Sequence, residues 1–291
     1  MNNVYFGLNN VAEKPSKIYI GDSNGVARMV KKAYLGVNGV AKQVYSIEPE
    51  PIDDWDYTID GNNVILNYYK FKLNPNPGYY YGDIVVYSTY TINGTVYNTK
   101  IASSPISTPS ENFQDYYMFN KTGEYAGSKY ADPNSITFEQ GVDTSSCTSL
   151  AGMFRNVQVA QPISGLQYFD TSNVEDMGFI FTGSKLIENI ENWDVSKVKY
   201  FFGAFLTIRN SAIDISGWDT RSAINMRRMF ENNRNPRTLE HIYVGNGWNT
   251  SNVSQSTDMF KSCELLPNFN SNYVDKTRAY VGSGGYLERK S

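Results

Sequence analysis

The chain has 291 residues, 41% hydrophobic and 19% charged, a balance that excludes a disordered polymer and allows more than one domain. Its net charge of −3 is too small to mark a nucleic-acid or membrane partner. The 23 Tyr suit exposed β surfaces and turns better than a helical bundle.

Residues 1–46 read as three tandem β-hairpins. Lys32-Ala33-Tyr34-Leu35-Gly36-Val37-Asn38-Gly39-Val40-Ala41-Lys42 echoes Lys17-Ile18-Tyr19-Ile20-Gly21, which continues through Asn24-Gly25-Val26-Ala27-Arg28. A worn third copy runs from Tyr5 to Ala12. Asn-Gly between two β-type runs is a strong hairpin signal, because a type I′ turn needs positive φ at both central residues. The segment is basic: Lys14, Lys17, Arg28, Lys31, Lys32 and Lys42 face only Glu13 and Asp22. Hairpins this small bury too little surface to stand alone, so a partner or further copies of the chain are expected to hold them. Tyr5, Tyr19, Tyr34, Lys31 and Lys32 are the candidate docking residues.

Residues 47–54 form a Pro/acidic linker, and residues 55–134 a small β capping domain with an irregular connection. Strands are expected at Tyr57–Ile59, Val64–Leu66, Ile84–Tyr87, Tyr90–Ile92 and Thr95–Tyr97, with Asn93-Gly94 turning between the last two. Tyr79-Tyr80-Tyr81 with Tyr68-Tyr69 makes either a sugar-stacking platform or, more simply, one face of that sheet.

Five copies of one pattern fill residues 135–269. Each begins at an Asp or Asn (Asp143, Asp170, Asp194, Asp219, Asn249) and reaches a Phe 11 residues later (Phe154, Phe181, Phe205, Phe230, Phe260). A fixed internal spacing with joins of variable length is the mark of stacked units. Counting from the Asp/Asn as position 0, apolar residues at +4, +7, +10 and +11 share one face of a helix, so each unit is expected to be a short strand, a polar turn and a short helix. The Asp/Asn is read as a turn and cap residue, with a Ser172/Glu175 capping box in the second copy, and the Phe as the core of each unit. Runs such as Ala212–Ile215 and His241–Val244 supply the strands. Residues 270–291, containing Gly282-Ser283-Gly284-Gly285, are expected to form a cap and a flexible tail.

Phe169-Asp170-Thr171-Ser172-Asn173-Val174, followed by Met177 and Phe181, resembles the BspA-like leucine-rich repeat family of surface proteins over residues 135–266. The resemblance implies an α+β chain: N-terminal hairpins, a small β domain, then a leucine-rich-repeat-type α/β solenoid of about five rungs used in adhesion. The tandem Tyr-x-Gly-Val-Asn-Gly-Val-Ala-Lys hairpins resemble N-terminal segments of virion proteins in phages of Gram-positive bacteria. With Met1-Asn2-Asn3-Val4 opening no basic signal region and no apolar run following, the chain is expected in a virion made in the host cytoplasm.

Catalytic chemistry has little to work with. His241 is the only histidine, and Cys147 and Cys263 are the only cysteines, expected to be core residues too far apart to pair. No cofactor or metal is expected. Glu188, Glu191 and Asp214 remain generic candidates for a two-carboxylate glycosidase. The expected function is therefore non-enzymatic: a tail fibre, baseplate or capsid-decoration protein whose residues 1–46 dock on other virion proteins and whose repeats bind a host cell-surface protein or glycan. The alternatives are a bacterial surface adhesin of the same repeat family and a cell-wall or capsule depolymerase.

Overall fold

The computed structural model describes residues 19–21, 27–29, 32–37, 40–46, 52–69, 80–102, 119 and 132–290. The chain divides into two compact units, 1–51 and 52–291. In the first, β1 (Tyr19–Gly21) pairs antiparallel with β2 (Ala27–Met29), and β3 (Lys32–Val37) with β4 (Val40–Ser46). These correspond to the second and third expected hairpins; the copy at Tyr5–Ala12 lies outside the described residues.

The second unit opens with a four-stranded sheet. Its strands are β5 (Trp55–Asp60), β6 (Asn63–Tyr69), β8 (Thr89–Ile92) and β9 (Thr95–Ile101), in the order β5-β6-β9-β8. Asn93 and Gly94, both at positive φ, turn β8 into β9. β7 (Tyr80–Val86) pairs in parallel with β10 (Asp132–Phe138). Alternate β6 residues Val64 and Leu66 are buried, the period-2 pattern of a sheet with one covered face. Tyr69 is buried edge-on against Trp55 at 5.1 Å, so this tyrosine packs the sheet.

The α+β solenoid of strand–turn–helix rungs expected from the repeats is not what the chain forms. Among the described residues the helical elements are three 3-10 turns of three residues each, at Ile52–Asp54, Leu166–Tyr168 and Lys276–Arg278. The remainder is small sheets and coil. Nor does the capping box exist: Ser172 bonds Asp170, and the Glu175 side chain pairs with Lys199 at 2.7 Å.

The reason lies in the backbone between +7 and +13. In the first copy the N–H groups of Leu150, Gly152, Phe154 and Asn156 donate to the carbonyls of Asp176, Gly178, Ile180 and Thr182 in the second. The same four bonds, 2.7–3.0 Å long, recur at each later junction down to Asn232 N–H on Lys261 O. Every second peptide thus bonds the neighbouring copy, which a helix forbids because its N–H groups bond four residues back. Position +9 is left-handed in all five copies (Gly152, Phe179, Gly203, Arg228, Asp258), which also breaks a right-handed helix. Residue +10 instead closes a tight turn onto the carbonyl of +7 in every copy. Such turns return every three residues and keep +7, +10 and +11 inward, imitating a helical spacing. A one-turn helix would have to bear the nucleation cost alone, whereas these bonds reinforce one another along the column.

Down the centre runs a file of aromatic rings. Phe119, Phe154, Phe181, Phe205, Phe230 and Phe260 stack face to face at centroid spacings of 5.5–5.6 Å. Trp55 abuts one end edge-on and Tyr286 the other. β9 meets the first copy through Ile101 N–H on Asp143 O and Asp143 N–H on Thr99 O.

On another side of the unit β11 (Ala212–Ile215) and β12 (His241–Val244) pair in parallel. The C-terminal segment, expected to trail freely, extends this pair: Glu288 bridges Tyr243, Leu287 and Tyr286 are buried, and Lys290 salt-bridges Asp214.

Candidate functional site

The repeat residues singled out from sequence divide into a frame and what the frame displays. The five Phe side chains at +11 are fully buried. At position 0, Asp143, Asp170, Asp194, Asp219 and Asn249 each accept the backbone N–H of the residue two further on, at 2.8–3.2 Å. Each therefore closes an Asx turn and caps no helix. Hydrogen bonds from Ser172 hold the Asp170 carboxyl below the ordinary carboxylate range, and bonds from Arg221 do the same for Asp219. Burial works against Asp143, yet bonds from Ser145 and Lys100 outweigh it and leave that carboxyl lowered too.

A further layer of the frame is a buried hydroxyl at +1. Thr144 Oγ1 donates to Asp170 O at 3.1 Å and accepts Asp170 N–H at 2.8 Å. Thr171 donates to Asp194 O, and Thr220 donates to and accepts from Asn249. The third copy carries Val195 here.

Positions +5, +6 and +8 differ in every copy, and in the third and fourth copies they turn away from the core, whereas Ser149 and Ala151 of the first copy are buried. In the third and fourth copies they are Lys199, Tyr200 and Phe202, then Ile224, Asn225 and Arg227. Tyr200 is 45% exposed and Ile224 39%. The +6 residues form one continuous parallel column, Ser149–Asp176–Tyr200–Asn225–Gln255. Phe202 meets Phe179 edge-on at 4.6 Å, while the Arg227 guanidinium lies over Phe202 at 5.6 Å and that of Arg155 over Phe179 at 5.0 Å. Phe179 itself is buried, so the displayed members are Tyr200, Phe202 and Arg227, and aromatic and Arg side chains on a rigid backbone are the composition of binding hot spots.

Glu188, Glu191 and Asp214 are brought together in a separate groove of about 360 Å³, floored by Ile187, Ile190, Ile208 and Ile213 and walled by Tyr243 and Lys290. Burial alone would raise Asp214, but Lys290 and Ser216 pull its carboxyl below the usual range. His241 Nδ1 lies 2.7 Å from Glu288 Oε2, its ring stacked on Tyr243. Cys147 and Cys263 are buried free thiols. Burial, helped by the carboxylates of Asp143 and Asp170, pushes Cys147 up to about 12, and burial raises Cys263 as well. Among the described residues no helix is long and apolar enough to cross a membrane, and no group of three or more His, Cys, Asp or Glu is placed to hold a metal.

Tyr19 lies on β1, and Lys32 and Tyr34 on β3, while Tyr5 and Lys31 fall outside the described residues. Lys290 and Tyr200 were missed by sequence reasoning. The signal for Tyr200 was present, since it is the one aromatic residue among the otherwise polar +6 residues Ser149, Asp176, Asn225 and Gln255.

Residues 148–276 match the family model described as "Mycoplasma protein of unknown function, DUF285". The match falls on the repeats that resemble the BspA-like family and on the start of the C-terminal cap. No curated protein matches the chain, and no solved structure does.

Proposed function

We propose that the chain is a non-enzymatic recognition protein of a phage virion, docked by residues 1–46 and binding a host cell surface through the +5/+6/+8 positions of its repeats. One observation carries this reading. An interior that is mostly apolar, invariant at Phe +11 and held by a constant bonding pattern, carries a +5/+6/+8 set whose side chains change in chemical type from copy to copy. A fixed frame with variable display is the economy of repeat proteins that bind extended surfaces. The virion placement rests on the tandem hairpins and their Lys-rich joins. A bacterial surface adhesin would use the repeat face in the same way and differ in what the hairpins hold.

The test is retention of the full chain by intact cells and purified walls from a panel of Gram-positive bacteria. Retention is expected for the native chain and not for a variant with Tyr200, Ile224 and Arg227 all changed to Ala. No retention of the native chain on any member would remove the host-recognition reading. Antibody labelling of purified virions, abolished by Lys31→Glu with Lys32→Glu, tests the docking half.

The groove of Glu188, Glu191 and Asp214 favours a second reading as a cell-wall or capsule depolymerase. Two-carboxylate hydrolysis needs one carboxyl kept protonated. Asp214, paired with Lys290, is biased the opposite way. Release of soluble sugar from walls, lost in Glu188→Gln or Glu191→Gln, would establish this alternative.

A further inference from the structure

We propose that Asp176, Tyr200 and Asn225 form a subsite for a single saccharide ring, which rests on the recognition reading above and names its ligand class. The three residues are consecutive members of the +6 column, one in each of three neighbouring copies. The ring of Tyr200 therefore has a carboxylate one ladder step to one side and an amide one step to the other, each step being about 4.8 Å.

The two flanking side chains are held in place before any ligand arrives. Asp176 Oδ1 accepts the N–H of Gly178 at 2.7 Å, and Asn225 Oδ1 accepts the N–H of Arg227 at 2.9 Å. Each of these bonds fixes a side chain that would otherwise rotate. What remains is the acceptor Asp176 Oδ2 and the donor Asn225 Nδ2, neither of which bonds another group among the described residues. An exposed aromatic ring, an oriented acceptor and an oriented donor are what a pyranose needs. Its C–H face lies on the ring, one hydroxyl donates to Asp176 Oδ2, and one hydroxyl oxygen accepts from Asn225 Nδ2. Tying down both polar groups in advance lowers the ordering cost of binding.

Burial also raises the carboxyl of Asp176, the effect of holding a charge in a half-buried position with one backbone donor. A hydroxyl from a ligand would supply a second donor to it. The other copies lack the combination: +6 is Ser149 in the first and Gln255 in the last, with no aromatic neighbour in the column beyond Tyr200.

The experiment probes the full-length chain on an array of defined mono- to hexasaccharides, followed by titration of the strongest binder. Tyr200→Ala is expected to weaken that saccharide about tenfold, the scale of one aromatic contact, and Tyr200→Phe to keep the affinity because stacking needs no hydroxyl. Asn225→Ala and Asp176→Ala should each weaken binding, with the melting temperature measured alongside to separate misfolding from lost contact. Tyr273→Ala, at an exposed tyrosine of the C-terminal cap, is expected to bind as the native chain does. Equal affinity for Tyr200→Ala, or no saccharide bound by the native chain, overturns the subsite. Cells that still retain the native chain in that case would leave the recognition reading standing with a different ligand.

Discussion

Thr144, Thr171 and Thr220 occupy a place where valine would fit by shape, yet each hydroxyl ties its copy to the next. Thr220→Val removes the hydroxyl that both donates to Asn249 O and accepts Asn249 N–H, and should cost about 1–3 kcal/mol for a backbone pair stranded in a buried site. Val195→Thr supplies the missing hydroxyl at the third junction and should gain on the order of 1 kcal/mol. Urea denaturation of both variants measures the two changes, and opposite signs are the expected result. The carboxylates add a pH dependence whose sign follows from direction. Asp143, Asp170, Asp219 and Asp275 are held low in the folded chain. Their contribution is complete above the unfolded value of about 3.9 and is lost as pH falls through their folded values, so the melting temperature should drop in that range. Asp176 is raised and acts in reverse. Asp176→Asn should therefore stabilise the chain at pH 7, a gain that shrinks as pH falls through the raised folded value and is gone below the unfolded value of about 3.9.

At the scale of one repeat, the spacing from Asp to Phe was legible because the column of rings enforces it, but the conformation was not. Apolar residues at +4, +7, +10 and +11 fit a helix and a chain of tight turns equally well. The feature that distinguishes them is the left-handed residue at +9, which is Gly in two copies and Phe179, Arg228 and Asp258 in the others. Three non-glycine residues concealed that signal, and inter-repeat bonds outweigh the local preference against it. Gly203 shows the constraint directly: an added Cβ would lie 2.8 Å from the Phe179 ring, at a φ of +60°. Gly203→Ala should destabilise by about 1–2 kcal/mol from its backbone conformation alone. Phe205→Ala, in the middle of the file, should cost about 3–5 kcal/mol and weaken protection of amides in both adjoining copies, measured by hydrogen exchange.

Over the whole second unit, the strands read from alternating residues formed, whereas the C-terminal tail did not behave as its glycines suggest. Its anchor is Tyr286, whose one hydroxyl proton lies between the carbonyls of Asn270 and Tyr273 and whose oxygen accepts the N–H of Asn270, from a fully buried ring. No local pattern announces such a contact, because its value lies in closing the end of the ring file. The aligned peptides of the column terminate at the last copy, where the N–H groups of Ser256 and Asp258 find no acceptor among the described residues. Carboxylates of Asp258 and Asp275 line the hollow of about 520 Å³ beside them, the charge that a row of exposed donors favours. Cys147 and Cys263 report on the two ends of the column. Both thiols should label only when their end opens, so equal labelling rates indicate that the column unfolds as one piece and a faster Cys263 indicates fraying at the last copy.

A binding face on the outward column must be covered when the chain meets a cell wall. Hydroxyl-radical footprinting of the full chain, with and without purified Gram-positive cell walls, tests it directly because Tyr200 and Ile224 are exposed and readily oxidised when free. Protection of Tyr200, Phe202 and Ile224, with Tyr168, Tyr273 and Tyr280 unchanged, is the predicted result. Walls that bind the chain while leaving Tyr200 and Ile224 fully reactive would contradict it.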